Sequence, residues 1–222
     1  MENLLKLIQT GGPVVWILIC FSIISMSVFI YKVWQFWVYF NFFGQRRSED
    51  ALILIEKDKN IDAFLLVKQR RTPRSKSLTH SLKIALENSL SLKQHQEESI
   101  RFAKSILKQL NSHLRILEVI ATLAPLLGLF GTVLGMIAAF QAMEAAGSQV
   151  DPSVLSGGIW QALLTTAIGL GVAIPVSLAH SWLERRVESE AENIEDDLAR
   201  LFTNLAQQSE NPLINNELRR SA

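Results

Sequence analysis

The chain alternates between long uncharged stretches and polar stretches that carry nearly all of its charge. Three of the uncharged stretches are long enough to cross a bilayer, which takes about 20 apolar residues in a helix. This pattern predicts an all-α membrane protein with three transmembrane helices and long helical extensions between and after them. The predicted spans cover residues 13–43, 116–143 and 156–182.

The first span contains one charged residue, Lys32, which is followed by a cluster of aromatic residues. A lysine can extend its ammonium group to the membrane surface, and aromatic rings favour the interface. We therefore expect Lys32 to reach out of the membrane, and we expect the span to be a retained anchor, since it is too long for a signal peptide.

The Lys and Arg residues are unevenly distributed, and their distribution predicts the topology. Fifteen lie in residues 44–115 and five follow Trp182, whereas the segment between Glu144 and Leu155 has none. Because Lys and Arg concentrate in cytoplasmic segments, the N-terminus faces out and the C-terminus faces in. The expected order is an outer N-terminus 1–12, a cytoplasmic helical loop 44–115, an outer loop 144–155 and a cytoplasmic C-terminal helix and tail 183–222.

Apolar residues at three- and four-residue spacing extend from Ile100 to Leu117 and continue into the second span as far as Gly135. Such spacing marks one buried face of a helix. It predicts that the second span is the upper half of one helix that emerges from the cytoplasm. The same spacing of apolar residues from Leu183 to Leu205 predicts that the C-terminal helix packs against the cytoplasmic half of that helix.

The composition excludes several classes of function. The formal net charge of +1 does not suit nucleic-acid binding, which needs a concentrated basic surface. The chain has one cysteine and four dispersed histidines, and it contains no phosphate-binding loop or nucleophile–base pair. We therefore expect no enzymatic activity, no cofactor and no metal.

A basic run in the predicted loop could bind anionic lipid headgroups. Solvated charges on a cytoplasmic loop are the simpler interpretation, and we favour it. The run comprises Arg70, Arg71, Arg74 and Lys76.

Small residues line one face of the second span and recur in the third. Small side chains let helices approach closely in lipid. This face predicts either packing within one subunit or a surface that lines a pore or holds the helix of another chain. The candidates for helix packing or partner-helix contact are Gly128, Gly131, Gly135, Gly169 and Ala173.

Four polar side chains lie at membrane depth, namely Thr132, Gln161, Thr165 and Thr166. A polar group in hydrocarbon needs a partner and is a functional candidate. A threonine can also bond its own helix backbone, so either interpretation applies to each threonine. A position of Gln161 near the outer interface would explain its amide without a function.

Two motifs in these spans resemble the core signature of the ExbB/TolQ/MotA proton-channel family. They read Ala124-Pro-Leu-Leu-Gly-Leu-Phe-Gly-Thr132-Val-Leu-Gly135 and Gly158-Ile-Trp-Gln161-Ala-Leu-Leu-Thr-Thr166-Ala-Ile-Gly169, the second followed by Ala173-Ile-Pro175. The three spans and the large loop agree with ExbB and TolQ more closely than with the flagellar stator subunit.

The resemblance to ExbB implies a pentamer of this chain in the bacterial inner membrane. The pentamer would surround two helices of a single-span ExbD/TolR-like partner and energise a TonB-like protein. It also implies that Thr132 and Thr166 line the pore and face an aspartate of the partner. Helical geometry alone selects Thr165, which lies beside Gln161. We retain Thr165 as a weaker candidate.

Gln161 departs from the family pattern, which has a glutamate at this position. An amide does not titrate, so any protonation cycle must use the carboxylate of the partner. An engineered substitution, a natural variation and a paralogue of reduced function all explain the change, and the first is slightly favoured. Two alternatives to an ExbB-like motor therefore stay open, a TolQ-like envelope subunit and a non-conducting membrane scaffold.

Overall fold

A computed structural model describes residues 12–39, 44–57, 59–68, 72–87, 90–146 and 152–210. Every regular element in these residues is an α-helix, as predicted. The helices are α1 (Gly12–Tyr39), α2 (Gly44–Glu56), α3 (Asn60–Lys68), α4 (Pro73–Glu87), α5 (Leu92–Asn111), α6 (Leu114–Ala146) and α7 (Pro152–Glu210).

Three helices are long and apolar enough to span a membrane. They contain the predicted spans 116–143 and 156–182 and the part of the first predicted span up to Tyr39. The candidate spans are Gly12–Trp37 in α1, Leu114–Ala145 in α6 and Leu155–Gln207 in α7. Several predicted features lie outside the described residues. These are most of the outer N-terminus, the centre of the 144–155 loop, the aromatic residues Phe40, Phe42 and Phe43, the basic residues Arg70 and Arg71, and the tail from Asn211.

The described residues form two compact units. One unit, here called the apolar unit, combines the residues up to Lys32 with His113–Glu184. The other, here called the polar unit, combines Val33–Ser112 with the residues from Arg185 onward.

The apolar unit is built from α1, α6 and the first part of α7. Its buried cluster contains Val14 and Leu18 of α1, Ala124 of α6 and Ala173 of α7. Large apolar side chains on the outside of these helices stay exposed, among them Leu178 at 68%. An apolar surface of this kind suits lipid or a partner chain and not water.

The predicted continuous helix through the second span is wrong, because the chain leaves helical geometry at Ser112 and His113. Ser112 caps α5 in an extended conformation, and His113 has a positive φ of 70°. Left-handed backbone of this kind commonly ends a helix. The hydrophobic stripe does not reveal the break, since Leu110, Leu114 and Leu117 are all buried on either side of it.

The polar unit contains α2 to α5 and the C-terminal part of α7. Its larger core joins apolar residues of α2, α3 and α4, including Leu52 and Leu78, with Leu201 of α7. A second cluster joins Ala103 of α5 with Ile194 and Leu198 of α7. The predicted packing of the C-terminal helix against the helix that begins near Ile100 is therefore confirmed.

Two charged residues are placed differently from expectation. Lys32 was expected to extend to the membrane surface, but its side chain is fully buried. Arg74 was expected to be a solvated loop charge, but it lies in α4 and is buried. Arg74 is covered by α7, where Asp197 accepts its hydrogen bonds, and a local pattern of charges does not reveal such a tertiary contact.

Candidate functional site

Two adjacent threonine hydroxyls of α7 converge on one carbonyl oxygen of α6. Thr165 Oγ1 and Thr166 Oγ1 each lie 3.3 Å from the oxygen of Gly128. Thr165 Oγ1 lies closer to the oxygen of Ala162 in its own helix, at 2.7 Å, and its single proton can be donated to only one of these two oxygens at a time. Thr165 is fully buried between the helices, whereas Thr166 is half-buried. Thr166 therefore keeps a face that another molecule can reach.

The helices come close because glycines face each other along what we call the small-residue interface, formed by Gly128, Gly131 and Gly135 of α6 with Gly169 of α7. A Cβ added to Gly131 would lie 2.6 Å from Thr165 Oγ1, and one added to Gly169 would lie 2.7 Å from the oxygen of Ala124. Cβ additions at Gly128 and Gly135 would meet backbone of α7 at 3.1 and 3.2 Å.

These glycines therefore bring α6 and α7 close together within a single subunit. Ala173 is likewise buried, in the cluster it shares with α1 and α6. Contact of the same residues with the helix of a partner chain stays a prediction. The small-residue interface is already filled by α6 and α7, so a partner helix would have to use a neighbouring face.

The hydrogen bond of Thr132 stays within α6 and does not reach Thr165 or Thr166. Its hydroxyl donates to the oxygen of Leu129 at 2.6 Å, within α6, and its side chain is half-buried. Bonding to its own helix backbone is one of the two interpretations that the sequence allows for this threonine. The pore-lining role of Thr132 stays a prediction.

Gln161 lies beside the first residue of α1. Its Nε2 atom is 3.5 Å from the position that a Cβ would take at Gly12, and its side chain is half-buried. Since α1 begins at Gly12, the amide is level with the end of that helix and not with its middle. The interfacial explanation of Gln161 stays a prediction.

The site has no titratable group of its own. No formal charge lies between Glu118 and Glu144 or between Asp151 and Glu184. The hydroxyl and amide groups there can donate and accept hydrogen bonds, but they cannot carry a proton by ionising near neutral pH. Among the described residues no group of three or more His, Cys, Asp or Glu side chains could hold a metal ion.

The polar unit contains a buried ion pair that sequence analysis missed. Arg74 donates from Nε to Asp197 Oδ2 at 2.8 Å and from Nη2 to Asp197 Oδ1 at 2.6 Å. Burial opposes the charge of the guanidinium, but its hydrogen bond to Asp197 and the nearby carboxyl groups raise the pKa of Arg74. The partners are 123 positions apart in the sequence, so no sequence pattern reveals the pair.

Glu190 lies two turns before Asp197 on α7 and caps the start of α4. Its carboxyl group accepts from the backbone N–H of Arg74, an N–H in the first turn of α4 that lacks a partner within the helix. Burial raises the pKa of Glu190, and the charge and hydrogen bond of Arg74 only partly offset that effect.

His95 forms a second buried polar cluster, with Ser81 and Ser99. His95 Nε2 lies 2.9 Å from the oxygen of Ser81, and Ser81 Oγ lies 2.8 Å from Ser99 Oγ. A carbonyl only accepts, so Nε2 carries the proton. Burial lowers the pKa of His95, the bond to Ser81 opposes that shift, and the nearby His80 favours it. The histidines are therefore less dispersed than the sequence suggests.

Comparison with known proteins agrees with this arrangement. The model of the MotA/TolQ/ExbB proton channel family matches residues 59–196, which is more than half of the chain and includes Gly128, Gln161 and Thr166. The chain belongs to the MotA/TolQ/ExbB proton channel family.

Relatives in this family include ExbB and TolQ proteins. An ExbB homologue of Methanothermobacter thermautotrophicus is 33% identical over 64% of this chain and 48% of its own length. The biopolymer transport protein ExbB of Aquifex aeolicus is 34% identical over 48% of this chain and 72% of its own length. The Tol-Pal system protein TolQ of Haemophilus influenzae is 39% identical over 37% of this chain and 36% of its own length.

The alignments thus span about half or less of the Methanothermobacter and Haemophilus relatives. Both ExbB and TolQ names occur among the relatives, so similarity alone does not separate these two roles. The family is one of membrane channel and transport components and is not a known enzyme family.

Proposed function

We propose that this chain is an ExbB-like ion-channel and stator subunit of a bacterial inner membrane. In this proposal a homopentamer surrounds the helices of a single-span ExbD/TolR-like partner, and proton flow energises a TonB-like protein. The N-terminus and the 144–155 loop face outward, and the polar unit faces the cytoplasm. Family membership and three helices of membrane-spanning length support the proposal.

The convergence of Thr165 and Thr166 on Gly128 is the observation that carries the proposal. A hydroxyl has one proton to donate and two acceptor sites. While Thr166 donates to the Gly128 oxygen, it offers only acceptor sites on its accessible side. It therefore suits a protonated carboxyl group of the partner, which can donate a hydrogen bond.

Ionisation of that carboxyl group would reverse the direction of its hydrogen bond with Thr166. A carboxylate only accepts, so the Thr166 hydroxyl would have to rotate away from Gly128 and donate to the partner. Its bond to Gly128 is long, at 3.3 Å, and is easily exchanged. Thr165 has a shorter bond inside its own helix and no exposed face. It therefore keeps its position between the helices while Thr166 exchanges its hydrogen bond.

Proton flux in liposomes under an applied voltage tests the proposal. The chain is reconstituted with its single-span partner, and Thr166→Val is compared with Thr166→Ser and with Thr122→Val. Thr122 is an exposed threonine of α6 whose hydroxyl bonds the oxygen of Glu118. We expect Thr166→Val to abolish flux, and we expect the other two variants to retain it. Equal flux in Thr166→Val and the parent would refute this role of Thr166.

A non-conducting scaffold is the second candidate, and the amide of Gln161 favours it. Without a carboxyl group at this position, the candidate site between α6 and α7 has no carboxylate of its own. The scaffold predicts no flux from the parent or from Gln161→Glu, with oligomers intact by native mass spectrometry. Flux from both the parent and Gln161→Glu would exclude a scaffold. Flux from Gln161→Glu alone would show that the amide of the parent prevents conduction.

A further inference from the structure

A groove of about 440 Å³ opens on the polar unit, and its chemistry is unlike that of the surrounding surface. Three helices, α3, α4 and α5, contribute its lining. The volume falls within the range of small-molecule sites, about 300 to 1,000 Å³. The lining residues are Phe64, Lys68, Lys76, Thr79, His80, Lys83 and Phe102.

The charge of the groove is positive. Three of its lining residues are lysines, and none of the described lining residues is an aspartate or a glutamate. Lys76 and Lys83 are two turns apart on α4, which places their Cα atoms about 10 Å apart along the helix. A row of ammonium groups on one face repels itself, and a bound anion would relieve that repulsion.

Each of the three lysines, Lys76 included, also has an interaction within the protein. The Nζ of Lys83 is 3.6 Å from Glu87, in an exposed pair that contributes little. The carboxylate of Glu98 accepts hydrogen bonds of 2.7 and 2.9 Å from Arg101, and it also lies 3.8 Å from Nε2 of the lining residue His80. Lys68 lies over the ring of Phe64, with Nζ 5.4 Å from the centroid.

The walls of the groove are flat and aromatic. The ring of His80 stacks on that of Phe102, with centroids 4.0 Å apart and planes at 17°. Phe64 adds a second ring from α3. The groove therefore offers ammonium groups for an anion beside aromatic surface for an apolar or planar body. Its volume is far larger than an inorganic phosphate ion requires.

We propose that this groove binds a phosphate-bearing anion that carries an apolar or planar body. Several lysines acting as point charges match the multiple charge of a phosphate better than the single charge of a carboxylate. Two sources supply this chemistry, a soluble organic phosphate such as a nucleotide and the headgroup of an anionic phospholipid. The inference is independent of ion conduction.

Isothermal titration of the full-length protein in phosphatidylcholine nanodiscs with adenosine diphosphate tests the soluble source. Native mass spectrometry of the protein from nanodiscs that contain phosphatidylglycerol tests the lipid source. The parent is compared with Lys76→Gln/Lys83→Gln and with Lys93→Gln/Lys104→Gln. Lys93 and Lys104 are exposed lysines of α5 outside the groove, so the control loses the same charge. Thermal unfolding confirms that both variants fold.

For a soluble source we expect adenosine diphosphate to bind the parent, with affinity that falls at high salt. Lys76→Gln/Lys83→Gln should weaken that binding at least tenfold, and the control should weaken it less than twofold. For a lipid source, the parent and the control should retain phosphatidylglycerol, and Lys76→Gln/Lys83→Gln should lose it. Absence of both ligands from the parent, or equal binding by the two variants, would overturn the proposal.

Discussion

Gly131 of α6 faces Thr165 of α7 so closely that an added methyl group would overlap the threonine side chain, at 2.6 Å from Oγ1 and 2.7 Å from Cβ. The glycine leaves room for the threonine, and the threonine fills that room and brings its Oγ1 to 3.3 Å from the oxygen of Gly128. Hydroxyl positions in α7 are therefore fixed by glycine positions in α6.

Gly169→Ala should separate α6 and α7, since its Cβ would meet the oxygen of Ala124 at 2.7 Å and the Cα of Gly128 at 3.0 Å. Both contacts are backbone, which cannot rotate away. We expect a loss of about 1–3 kcal/mol of stability, as for other overpacked sites, measured by thermal unfolding in detergent.

Gly171→Ala is the matched control, because a Cβ at Gly171 has no neighbour within 4 Å. Alanine also favours helix over glycine, so this variant should equal or exceed the parent in stability. If both alanine variants unfold at the same temperature, the close approach of the two helices is not what limits stability.

Thr165→Val should keep the packing of the small-residue interface and lose the hydroxyl. The Gly128 oxygen would still accept from Thr166, so no acceptor is left without a partner. We expect a cost of about 1 kcal/mol in unfolding free energy. Thr165→Ser, which restores the hydroxyl, should recover part of it, and a larger loss for serine than for valine would show that the methyl group matters more.

Arg74→Met should destabilise the polar unit by about 3–5 kcal/mol, because it leaves Asp197 buried without its partner. Asp197→Leu should have a similar cost. The double variant should recover the part of the loss that comes from an unpaired Asp197, while Glu190 stays buried without the charge of Arg74. Chemical denaturation of the four proteins of the cycle measures the coupling, and additive single effects would contradict a specific pair.

His95 should make the polar unit less stable in mild acid. Its pKa in the folded protein lies below the ordinary value of 6.5, so the unfolded chain binds the proton more readily. Stability from the neutral imidazole is therefore complete above pH 6.5 and declines as the pH falls below it. The groups that face the imidazole are Ser81, Ser99, His80 and Phe202.

Hydrogen exchange in α4 and α5, compared between neutral and mildly acidic pH, measures this effect. Protection should decline in acid for the parent and much less for His95→Gln, which cannot be charged. An equal decline in both proteins would assign the acid sensitivity to another group.

The spans were predictable because charged residues border each uncharged stretch, as Glu118 and Glu144 do. The close packing at Gly128 and Gly135 was also predictable, since small residues recur at helical spacing. The break at His113 was not, because only two residues leave the helix and the stripe stays in phase. The pairing of Arg74 with Asp197 was not either, because it depends on packing between residues far apart in the sequence.

The capping of α4 by Glu190 has a consequence for how the protein is made. A ribosome synthesises α2 to α5 long before it reaches α7, yet the first turn of α4, its ion pair and its core all use residues from Glu190 to Leu201. Part of the interior formed by α2 to α5 therefore stays uncovered until the third span and the residues after it have been translated. Truncation before Glu190 would leave that interior permanently exposed to chaperones and proteases.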